Sequence, residues 1–240
     1  MNSVRVVVGY KTYIELIDAL LEDKEVISTG MRAEIDRVHV AIEHAMQGRN
    51  TAIVSSGDAG IYGMAGLVLE VCHQKNLRVA LPGKSSAGPH DILVEIVPGT
   101  PALCAAATLL GAPLMHDFAS VSLSDLLTPW EVIIERITCA AKADFVLVLY
   151  NPKSKKRDWQ LGAVQETLLK YRDKDTPVGI VKKAMRAGQQ VHTTTLSEMH
   201  AMEVDMQTIV IVGNSKSYLF QGLMITPRGY LDKYSISATL

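Results

Sequence analysis

Apolar residues follow two different spacings along the chain. In some segments they recur every three or four residues, as Ile35, Val38 and Ile42 do, and this spacing predicts amphipathic helices. Between these segments lie short runs rich in β-branched residues, such as Arg5–Val8 and Ala52–Val54, which predict strands. The two patterns alternate along the chain, and such alternation predicts an α/β fold.

The rest of the first half contains predicted elements of both kinds. The predicted strands are Leu77–Leu81 and Ile92–Val97. The predicted helices are a segment with apolar positions at Tyr13, Ile17, Leu20 and Leu21, the segment Met64–Val71, and a helix that opens at Pro101. Pro82–His90 has the composition of a loop.

The pattern changes near Gly111–Asp117, where we place a boundary between two α/β lobes, residues 1–114 and 115–240. The second lobe is richer in strands, so we expect a mixed or partly antiparallel sheet. Its predicted strands are Ala119–Leu123, Phe145–Tyr150, Val178–Lys182, Gln190–Thr195 and Thr208–Val212, and its predicted helices are Trp130–Ala140 and Trp159–Tyr171, the latter burying Val164, Leu168 and Tyr171. Phe145–Tyr150 is apolar on both faces, which is typical of a central strand.

Composition narrows the class of protein. Of the 240 residues, 48% are apolar and 5% aromatic, so aliphatic side chains must form the core. The 24 Lys and Arg nearly balance the 25 Asp and Glu without a block of like charge, which argues against a nucleic-acid or membrane partner. With no apparent signal peptide or membrane span, we expect a soluble, cytoplasmic protein. Cys72, Cys104 and Cys139 lie in apolar segments, which predicts buried thiols rather than a disulfide or metal site.

The segment Thr51–Gly66, TAIVSSGDAGIYGMAG, carries the strongest chemical signal. It predicts a strand, a loop of small residues and a helix, the arrangement that open α/β sheets use to hold a ligand. Small residues allow a ligand to approach the backbone, and Asp58 can accept hydrogen bonds from a ribose or an ammonium group. The segment lacks the glycine and lysine spacing of dinucleotide and nucleoside triphosphate loops. Taken alone, it could also be an ordinary turn.

Five segments rich in small or polar residues follow predicted strands, and together they could line one cleft. They are Ser55–Gly63, Pro98–Ala102, Tyr150–Arg157, Lys182–Gln189 and Gly213–Tyr218. Each of them alone could be a plain loop.

Eight motifs occur in a characteristic order: SSGDAGIYGMAG, VPGTPA, GAPLMHDF, SLSDLLTPW, YNPKSKKR, VKKA, IVGNS and ITPRGY. With these motifs the chain resembles the precorrin-3B or cobalt-precorrin-3 C17-methyltransferases of cobalamin biosynthesis, which belong to the tetrapyrrole (class III) methyltransferases. The resemblance extends from about Val6 to Tyr230, and GDAGIYGMAG together with SLSDLLTPW is its most specific part.

The resemblance implies two α/β lobes of the tetrapyrrole methylase type, with S-adenosylmethionine in the cleft between them, and a homodimer. Matched motif by motif, it implies a set of cofactor contacts from both lobes. These are Gly57, Asp58, Ile61, Tyr62, Pro101, Ala102, Asn151 and Ala184.

The implied substrate is a polyanionic precorrin macrocycle, whose carboxylates call for basic or hydroxyl groups. The candidates are Ser122, Ser124, Asp125, Lys153 and Arg157, with Lys155 and Lys156 in the same basic cluster. The alternatives stay open: the cluster could be a solvated loop, and Ser124 and Asp125 could cap the following helix. His116 and Asp117 could form a capping or interdomain hydrogen bond, and Lys182 and Lys183 could be surface charges.

The implied reaction is methylation of C17 with ring contraction, in which the enzyme's main task is to position the reacting atoms. No residue of the sequence stands out as the general base. Whether the substrate carries cobalt is likewise left open.

Members of the family normally begin with a strand and a G-x-G-P-G loop before the segment that matches VVVGYKTY, and neither is present here. We expect this difference to weaken folding and activity, since it removes a central strand and part of the cleft floor. A misassigned start, a fragment or a compromised protein would each explain the difference, and in the last case the chain could be a catalytically weak protein that binds cofactor or tetrapyrrole. A separate alternative is a methyltransferase that acts on another precorrin carbon, although SLSDLLTPW argues against it.

Overall fold

The computed structural model describes residues 3–30, 32–80, 82–83, 91–154 and 157–234. The chain divides into two compact units, Met1–Pro101 and Ala102–Leu240. Both units combine helices with strands, which confirms the predicted α/β class. Within the described residues, none of the helices combines the length and the apolar character that crossing a membrane requires.

The first unit is built on a parallel sheet of three strands. Strand β1 (Val6–Tyr10) lies in the middle, between β2 (Glu25–Thr29) and β3 (Thr51–Val54). Val6 and Val8 are fully buried, as expected for a central parallel strand with both faces covered. Because all three strands run in one direction, their carboxyl ends lie at the same edge of the sheet.

Among the described residues of this unit, three helices and a second strand pair accompany the sheet. The helices are α1 (Lys11–Glu15), α2 (Glu34–Met46) and α3 (Ala65–Gln74), and the short parallel strands are β4 (Val79–Ala80) and β5 (Ile92–Leu93). Helix α2 buries Val38 and Ile42 against Val71 and Cys72 of α3. Val38 and Ile42 of the apolar spacing seen in the sequence therefore form the packing face of α2, whereas Ile35 is 57% exposed.

The second unit contains a five-stranded mixed sheet and a smaller three-stranded one. Its elements are α4 (Ala102–Leu110), β6 (Gly111–Ala112), β7 (Phe118–Ser122), α5 (Trp130–Lys142), β8 (Val146–Tyr150), α6 (Gln160–Leu168), β9 (Pro177–Lys182), β10 (Gln190–Thr195), β11 (Thr208–Val212), β12 (Tyr218–Phe220), β13 (Leu223–Ile225) and α7 (Tyr230–Lys233). The large sheet has the order β10-β9-β11-β8-β7, parallel between β7 and β8 and antiparallel elsewhere. This confirms the predicted mixed sheet.

Strand β8 separates two apolar layers. Leu147 and Leu149 pack with residues of α5 and α6 on one face, and Val146 and Val148 pack with residues of α4 on the other. All four side chains are fully buried, which confirms the central strand predicted from Phe145–Tyr150.

Glycine allows α4 to lie directly on this sheet. A β-carbon at Gly179, in the middle of β9, would lie only 2.3 Å from a methyl carbon of Leu110. Leu103, Ala106 and Leu110 of α4 cover the sheet face that includes Val146, so this helix belongs to the second unit.

The boundary between the units differs from the predicted lobe boundary. The sequence analysis placed that boundary after residue 114, whereas the compact units divide after residue 101.

Several elements differ from the sequence prediction. Strand β2 was not predicted, because its residues are mostly exposed or half-buried at a sheet edge and lack a clear apolar alternation. The helix predicted around Tyr13–Leu21 is only α1 followed by a 3-10 turn at Asp18–Leu20. Strand β5 is much shorter than the predicted Ile92–Val97. Leu81 and most of the predicted loop Pro82–His90 lie outside the described residues.

Three predictions of burial were wrong. Tyr171 is 41% exposed, because α6 ends at Leu168 and does not carry the apolar face that far. Cys104 and Cys139 are exposed, and only Cys72 of the three free thiols is buried. Cys104 and Cys139 have apolar neighbours in sequence because they lie in alanine-rich helices. Each side chain nevertheless lies on an exposed part of its helix and not on the packed face.

Candidate active site

The loop after β3 is organised by the carboxylate of Asp58. Its Oδ1 atom accepts a hydrogen bond from the backbone N–H of Gly60 at 2.8 Å, and its Oδ2 atom accepts one from the N–H of Gly99 at 3.0 Å. The first bond closes a local turn. The second joins the loop to the Pro98-Gly99 turn, which lies 41 residues further along the chain.

These hydrogen bonds favour the ionised carboxylate. The N–H of Gly99, followed by the N–H groups of Gly60 and Ile61, lowers the pKa of Asp58 below its usual value, although partial desolvation acts in the opposite direction. Asp58 therefore carries a negative charge at neutral pH. Each oxygen has a further lone pair that can accept a hydrogen bond from a ligand.

Glycines bring the two backbone segments into direct contact. A β-carbon at Gly99 would lie 2.1 Å from the carbonyl oxygen of Gly57, and one at Gly63 would lie 2.5 Å from the carbonyl oxygens of Asp58 and Ala59. Real β-carbons do not approach oxygen atoms so closely. Glycine is therefore required both in the loop, at residue 63, and in the turn that packs on it, at residue 99.

The same loop presents apolar side chains to its surroundings. Ile61 and Tyr62 are 40% and 54% exposed. Tyr62 also has a φ of 53°, in the left-handed region that bulky residues rarely adopt. Strain of this kind is concentrated at functional sites.

In the second unit, Asn151 follows β8 directly and also has a left-handed backbone, with a φ of 53°. Its side-chain amide donates a hydrogen bond to the hydroxyl oxygen of Ser122 at 2.9 Å, and the N–H of Ser124 donates to the same oxygen at 3.3 Å. The parallel pairing of β7 and β8 brings these residues together at the carboxyl ends of the two strands.

Ala184 lies between two more left-handed residues. Lys183 has a φ of 50° and Met185 a φ of 58°. The N–H of Met185 donates a hydrogen bond to the side-chain oxygen of Gln189 at 2.8 Å, which holds this turn after β9. Three of the predicted cofactor segments thus contain left-handed residues other than glycine.

Pro101 and Ala102 lie where the chain passes from the Pro98-Gly99 turn into α4. Pro101 comes immediately before the helix and Ala102 is its first residue. Proline suits this position, since its missing N–H would have no partner within the helix. The sequence prediction of a helix start here is confirmed.

The predicted substrate contacts are linked by side-chain hydrogen bonds. Arg157 donates to the carbonyl oxygen of Leu123 at 2.7 Å and lies 3.5 Å from the carboxylate of Asp125. The amide of Gln160 donates to that carboxylate at 3.2 Å. Lys153 is exposed. The loop after β8 is thereby attached to the SLSD segment that follows β7.

The structure describes only part of the basic cluster, since Lys155 and Lys156 lie outside the described residues. Ser124 and Asp125 do not cap the next helix, because Pro129 holds the N-cap position of α5. The local alternative for these two residues was therefore wrong, and their role in substrate binding stays a prediction.

Two other candidates have local partners. His116 is exposed, and its Nδ1 atom accepts a hydrogen bond from the N–H of Asp117 at 2.7 Å. Lys182 lies 2.9 Å from a carboxylate oxygen of Asp205 and 3.3 Å from one of Glu203. The bond of His116 thus joins two neighbouring residues of one unit and is not interdomain, and Lys182, whose side chain is only 18% exposed, is ion-paired rather than a solvated surface charge.

Sequence reasoning missed the contact between Asp58 and Gly99 and a bond from Leu103 to the hydroxyl of Tyr150. The small residues of VPGTPA were a signal for close approach, but nothing in a single sequence indicates which distant atom a glycine approaches. The hydroxyl of Tyr150 had no sequence signal, since tyrosine is common at strand ends.

Comparisons with known proteins agree with this arrangement. Residues 1–200 match a family model described as Tetrapyrrole (Corrin/Porphyrin) Methylases. The chain is 50% identical over 230 residues to the "Probable cobalt-factor III C(17)-methyltransferase" of Salmonella typhimurium strain LT2, covering 96% of this chain and 90% of that protein. It is 49% identical over 233 residues to the "Cobalt-factor III methyltransferase" of Priestia megaterium, covering 97% of this chain but only 42% of that longer protein.

Two solved structures are similar in fold. The crystal structure of the methyltransferase CobJ has a TM-score of 0.82 at 33% identity, covering 94% of this chain and 90% of CobJ. A uroporphyrin-III C-methyl transferase from Thermus thermophilus, complexed with S-adenosyl homocysteine, has a TM-score of 0.64 at 20% identity, covering 88% of this chain and 86% of that one. The latter likeness supports the fold alone. From the family match and the shared fold, we conclude that the chain belongs to the tetrapyrrole (corrin/porphyrin) methylase family.

Proposed function

We propose that this chain uses S-adenosylmethionine to methylate C17 of a cobalt-containing precorrin-3-type macrocycle, with ring contraction, in cobalamin biosynthesis. The observation that carries the proposal is the 50% identity, over nearly the whole chain, to a relative named for cobalt-factor III C17 methylation. A second relative, 49% identical, is named for the same substrate. These names favour a macrocycle that carries cobalt, a point that the motifs had left open.

The residues present fit a cofactor of this kind. S-adenosylmethionine would supply a methyl group on a sulfonium that is already strongly electrophilic. The loop after β3 offers small residues, an ionised carboxylate at Asp58, and the exposed side chains of Ile61 and Tyr62. A carboxylate of this type suits the hydroxyls of a ribose or the ammonium of an amino acid.

The second unit would contribute mainly backbone. Ala102 begins α4, and Asn151 and Ala184 lie in turns with left-handed residues. We propose that backbone groups of these residues contact the adenosine part of the cofactor, and that Gly57 and Pro101 are also cofactor contacts.

The chain's main catalytic task would be to position the reacting atoms and to exclude water. Methyl transfer requires the nucleophilic carbon, the methyl group and the sulfur in line, and rigid loops contribute to such an alignment. Asp58 and the close glycine contacts make the first loop rigid. We assign no general base.

For the substrate, Lys153 is the exposed cation of the described basic cluster, whereas Arg157 is already bonded to the SLSD segment. We propose that Lys153 meets a macrocycle carboxylate directly. Arg157, with Ser122, Ser124 and Asp125, would shape the surface on which the macrocycle lies.

The test is to incubate the chain with cobalt-factor III and S-adenosylmethionine labelled in its methyl group, and to locate the label by NMR. We expect label at C17 in a ring-contracted product. The same macrocycle without cobalt is the control for substrate choice. Label at another carbon, or none with a chain that is folded and binds S-adenosyl homocysteine, would contradict the proposal.

The resemblance further implies a homodimer, and the sequence itself led us to expect a cytoplasmic location; we include both in the proposal. Analytical ultracentrifugation of the purified chain should give twice the monomer mass. A monomer mass at micromolar concentration would contradict the dimer without affecting the proposed chemistry.

A further inference from the structure

Helix α4 begins with a hydrogen bond from outside the helix. The backbone N–H of Leu103, in its first turn, donates to the hydroxyl oxygen of Tyr150 at 3.0 Å. N–H groups in a first turn have no partner within their own helix, and a nearby Ser, Thr, Asp or Asn usually supplies the acceptor. Here the acceptor is a side chain 47 residues away, at the end of β8.

The aromatic ring of Tyr150 is held independently of this bond. It packs against the apolar cluster that contains Leu103, Ala106, Val146 and Val148. Replacing Tyr150 with phenylalanine would therefore keep the ring and its packing while removing the hydroxyl. The function of the hydroxyl can be measured apart from that of the side chain as a whole.

The two residues joined by this bond each adjoin a proposed cofactor contact. Ala102 immediately precedes Leu103, and Asn151 immediately follows Tyr150. Asn151 is in turn held by its left-handed backbone and by the hydrogen bond to Ser122. The Tyr150 hydroxyl thus links the start of α4 to the loop after β8.

We propose that Tyr150 is a positioning residue for S-adenosylmethionine, acting through the backbone of Ala102 and Asn151. The proposal rests on the cofactor function proposed above. Without the hydroxyl, the N–H of Leu103 loses its acceptor and the first turn of α4 is less firmly held. The backbone at Ala102 then spends less time in the geometry that the cofactor requires.

The variant Tyr150→Phe tests this proposal. Calorimetric titration with S-adenosyl homocysteine should give a Kd raised by about three- to tenfold, which corresponds to the loss of one hydrogen bond. In steady-state assays the KM for S-adenosylmethionine should rise by a similar factor. We expect kcat at saturation and the KM for the tetrapyrrole to stay within about twofold of the unmodified chain.

A rise in the KM for S-adenosylmethionine alone distinguishes a positioning residue from one that only stabilises the fold. A residue that only stabilises the fold would lower the melting temperature and the active fraction without raising one KM selectively. Thr108→Ala is a matched control on the same helix, because the Thr108 hydroxyl donates to the carbonyl oxygen of Cys104 and leaves the N–H groups of the first turn unaffected. Tyr171→Phe removes the hydroxyl of an exposed tyrosine elsewhere in the unit. Both controls should bind S-adenosyl homocysteine like the unmodified chain.

The outcomes distinguish a failure of the proposed cofactor function from a failure of the proposed role of Tyr150. If the folded, unmodified chain does not bind S-adenosyl homocysteine, the proposed function fails and the role of Tyr150 fails with it. If the unmodified chain binds and Tyr150→Phe binds equally well, only the role of Tyr150 is overturned. An equal rise in KM for both substrates, or the same loss of affinity in Thr108→Ala, would also overturn it.

Discussion

At the scale of single residues, Asp58 and Gly99 set the geometry of the loop after β3. Both oxygens of Asp58 accept backbone N–H groups, one from within the loop and one from Gly99. Gly99 in turn packs on the carbonyl group of Gly57. The carboxylate therefore shapes the candidate cofactor loop as well as offering lone pairs to a ligand.

Replacing Asp58 with alanine should weaken binding of S-adenosyl homocysteine by about tenfold or more, since charge-assisted hydrogen bonds are lost within the loop and to the ligand. Calorimetric titration measures this effect. Asp117→Ala, which removes an exposed carboxylate, is the control. An affinity equal to that of the unmodified chain would remove Asp58 from the cofactor site.

Gly99→Ala should also weaken binding, because a β-carbon 2.1 Å from the Gly57 carbonyl oxygen must push the two segments apart. We expect a loss of affinity similar to that of Asp58→Ala. The matched control is Gly162→Ala in α6, where an added β-carbon meets nothing within 4 Å. The control should retain affinity and stabilise its helix by about 0.5–1 kcal/mol. If Gly99→Ala bound as tightly as the control variant, the loop contact would not matter for binding.

At the scale of elements, the second unit depends on the fit of α4 against its mixed sheet. Leu110 is buried and reaches directly over Gly179 of β9. A helix can approach a strand this closely only where the strand lacks a side chain. The position of α4, and with it that of Ala102, follows from this contact.

Gly179→Ala should destabilise the chain by about 1–3 kcal/mol, as overpacked cores typically do. The double variant Gly179→Ala with Leu110→Ala should lose less than the sum of the two single variants, since the smaller residue 110 makes room for the new methyl group. Denaturant unfolding of all three variants measures the coupling. Simple additivity would show that the two residues do not compete for space.

The ion pair at the end of β9 predicts a pH dependence. Burial tends to raise the pKa of Asp205, but the hydrogen bonds from Lys182, Gln207 and Thr208 outweigh it and lower that pKa. The pKa of Lys182 is raised, chiefly by Asp205 and then by Glu203. A lowered carboxyl pKa contributes stability above its unfolded value of 3.8 and loses it as the pH falls through the folded value.

Lys182→Met should therefore reduce stability modestly near neutral pH, and its difference from the unmodified chain should shrink as the pH falls below about 4. Urea unfolding between pH 3 and pH 7 checks this. Lys170→Met is the control, since Lys170 has no ion pair among the described side chains. A difference that grew as the pH fell would contradict the assigned sign.

At the scale of the whole molecule, the two units have different architectures. The first is a small parallel sheet with its strand ends at one edge, and the second is a larger mixed sheet between two apolar layers. Each carries proposed cofactor contacts on segments next to its strand and helix ends. A ligand that binds only the folded chain stabilises it by mass action, whatever the arrangement of the two units.

S-adenosyl homocysteine at one hundred times its Kd should raise the free energy of unfolding by about 2.7 kcal/mol. Thermal melts at increasing ligand concentration should show a melting temperature that keeps rising with the logarithm of concentration. Adenosine, which lacks the amino-acid end, should have a smaller effect at equal concentration. A melting temperature that does not respond to S-adenosyl homocysteine would contradict the proposed cofactor site.

Local patterns in the sequence were enough to predict the order and kind of most elements. Its motifs were enough to predict the family. The apolar spacing of α2 and the fully apolar run of β8 are local patterns, and each was enough to identify its element. The GDAGIYGMAG and SLSDLLTPW motifs identified the family because, taken together, they are specific to it. Weakly patterned elements such as β2 were missed, because their strand character comes from pairing with a neighbour.

Only the tertiary structure decided which of these segments contact one another. The bonds from Asp58 to Gly99 and from Leu103 to Tyr150 span 41 and 47 residues, and the packing of Leu110 on Gly179 depends on a helix meeting a distant strand. Local spacing constrains the backbone over a few residues, whereas these contacts depend on how whole elements pack. For the same reason, the side-chain partners of Arg157 and the exposure of Cys104 could not be read from the chain and became visible only in the fold.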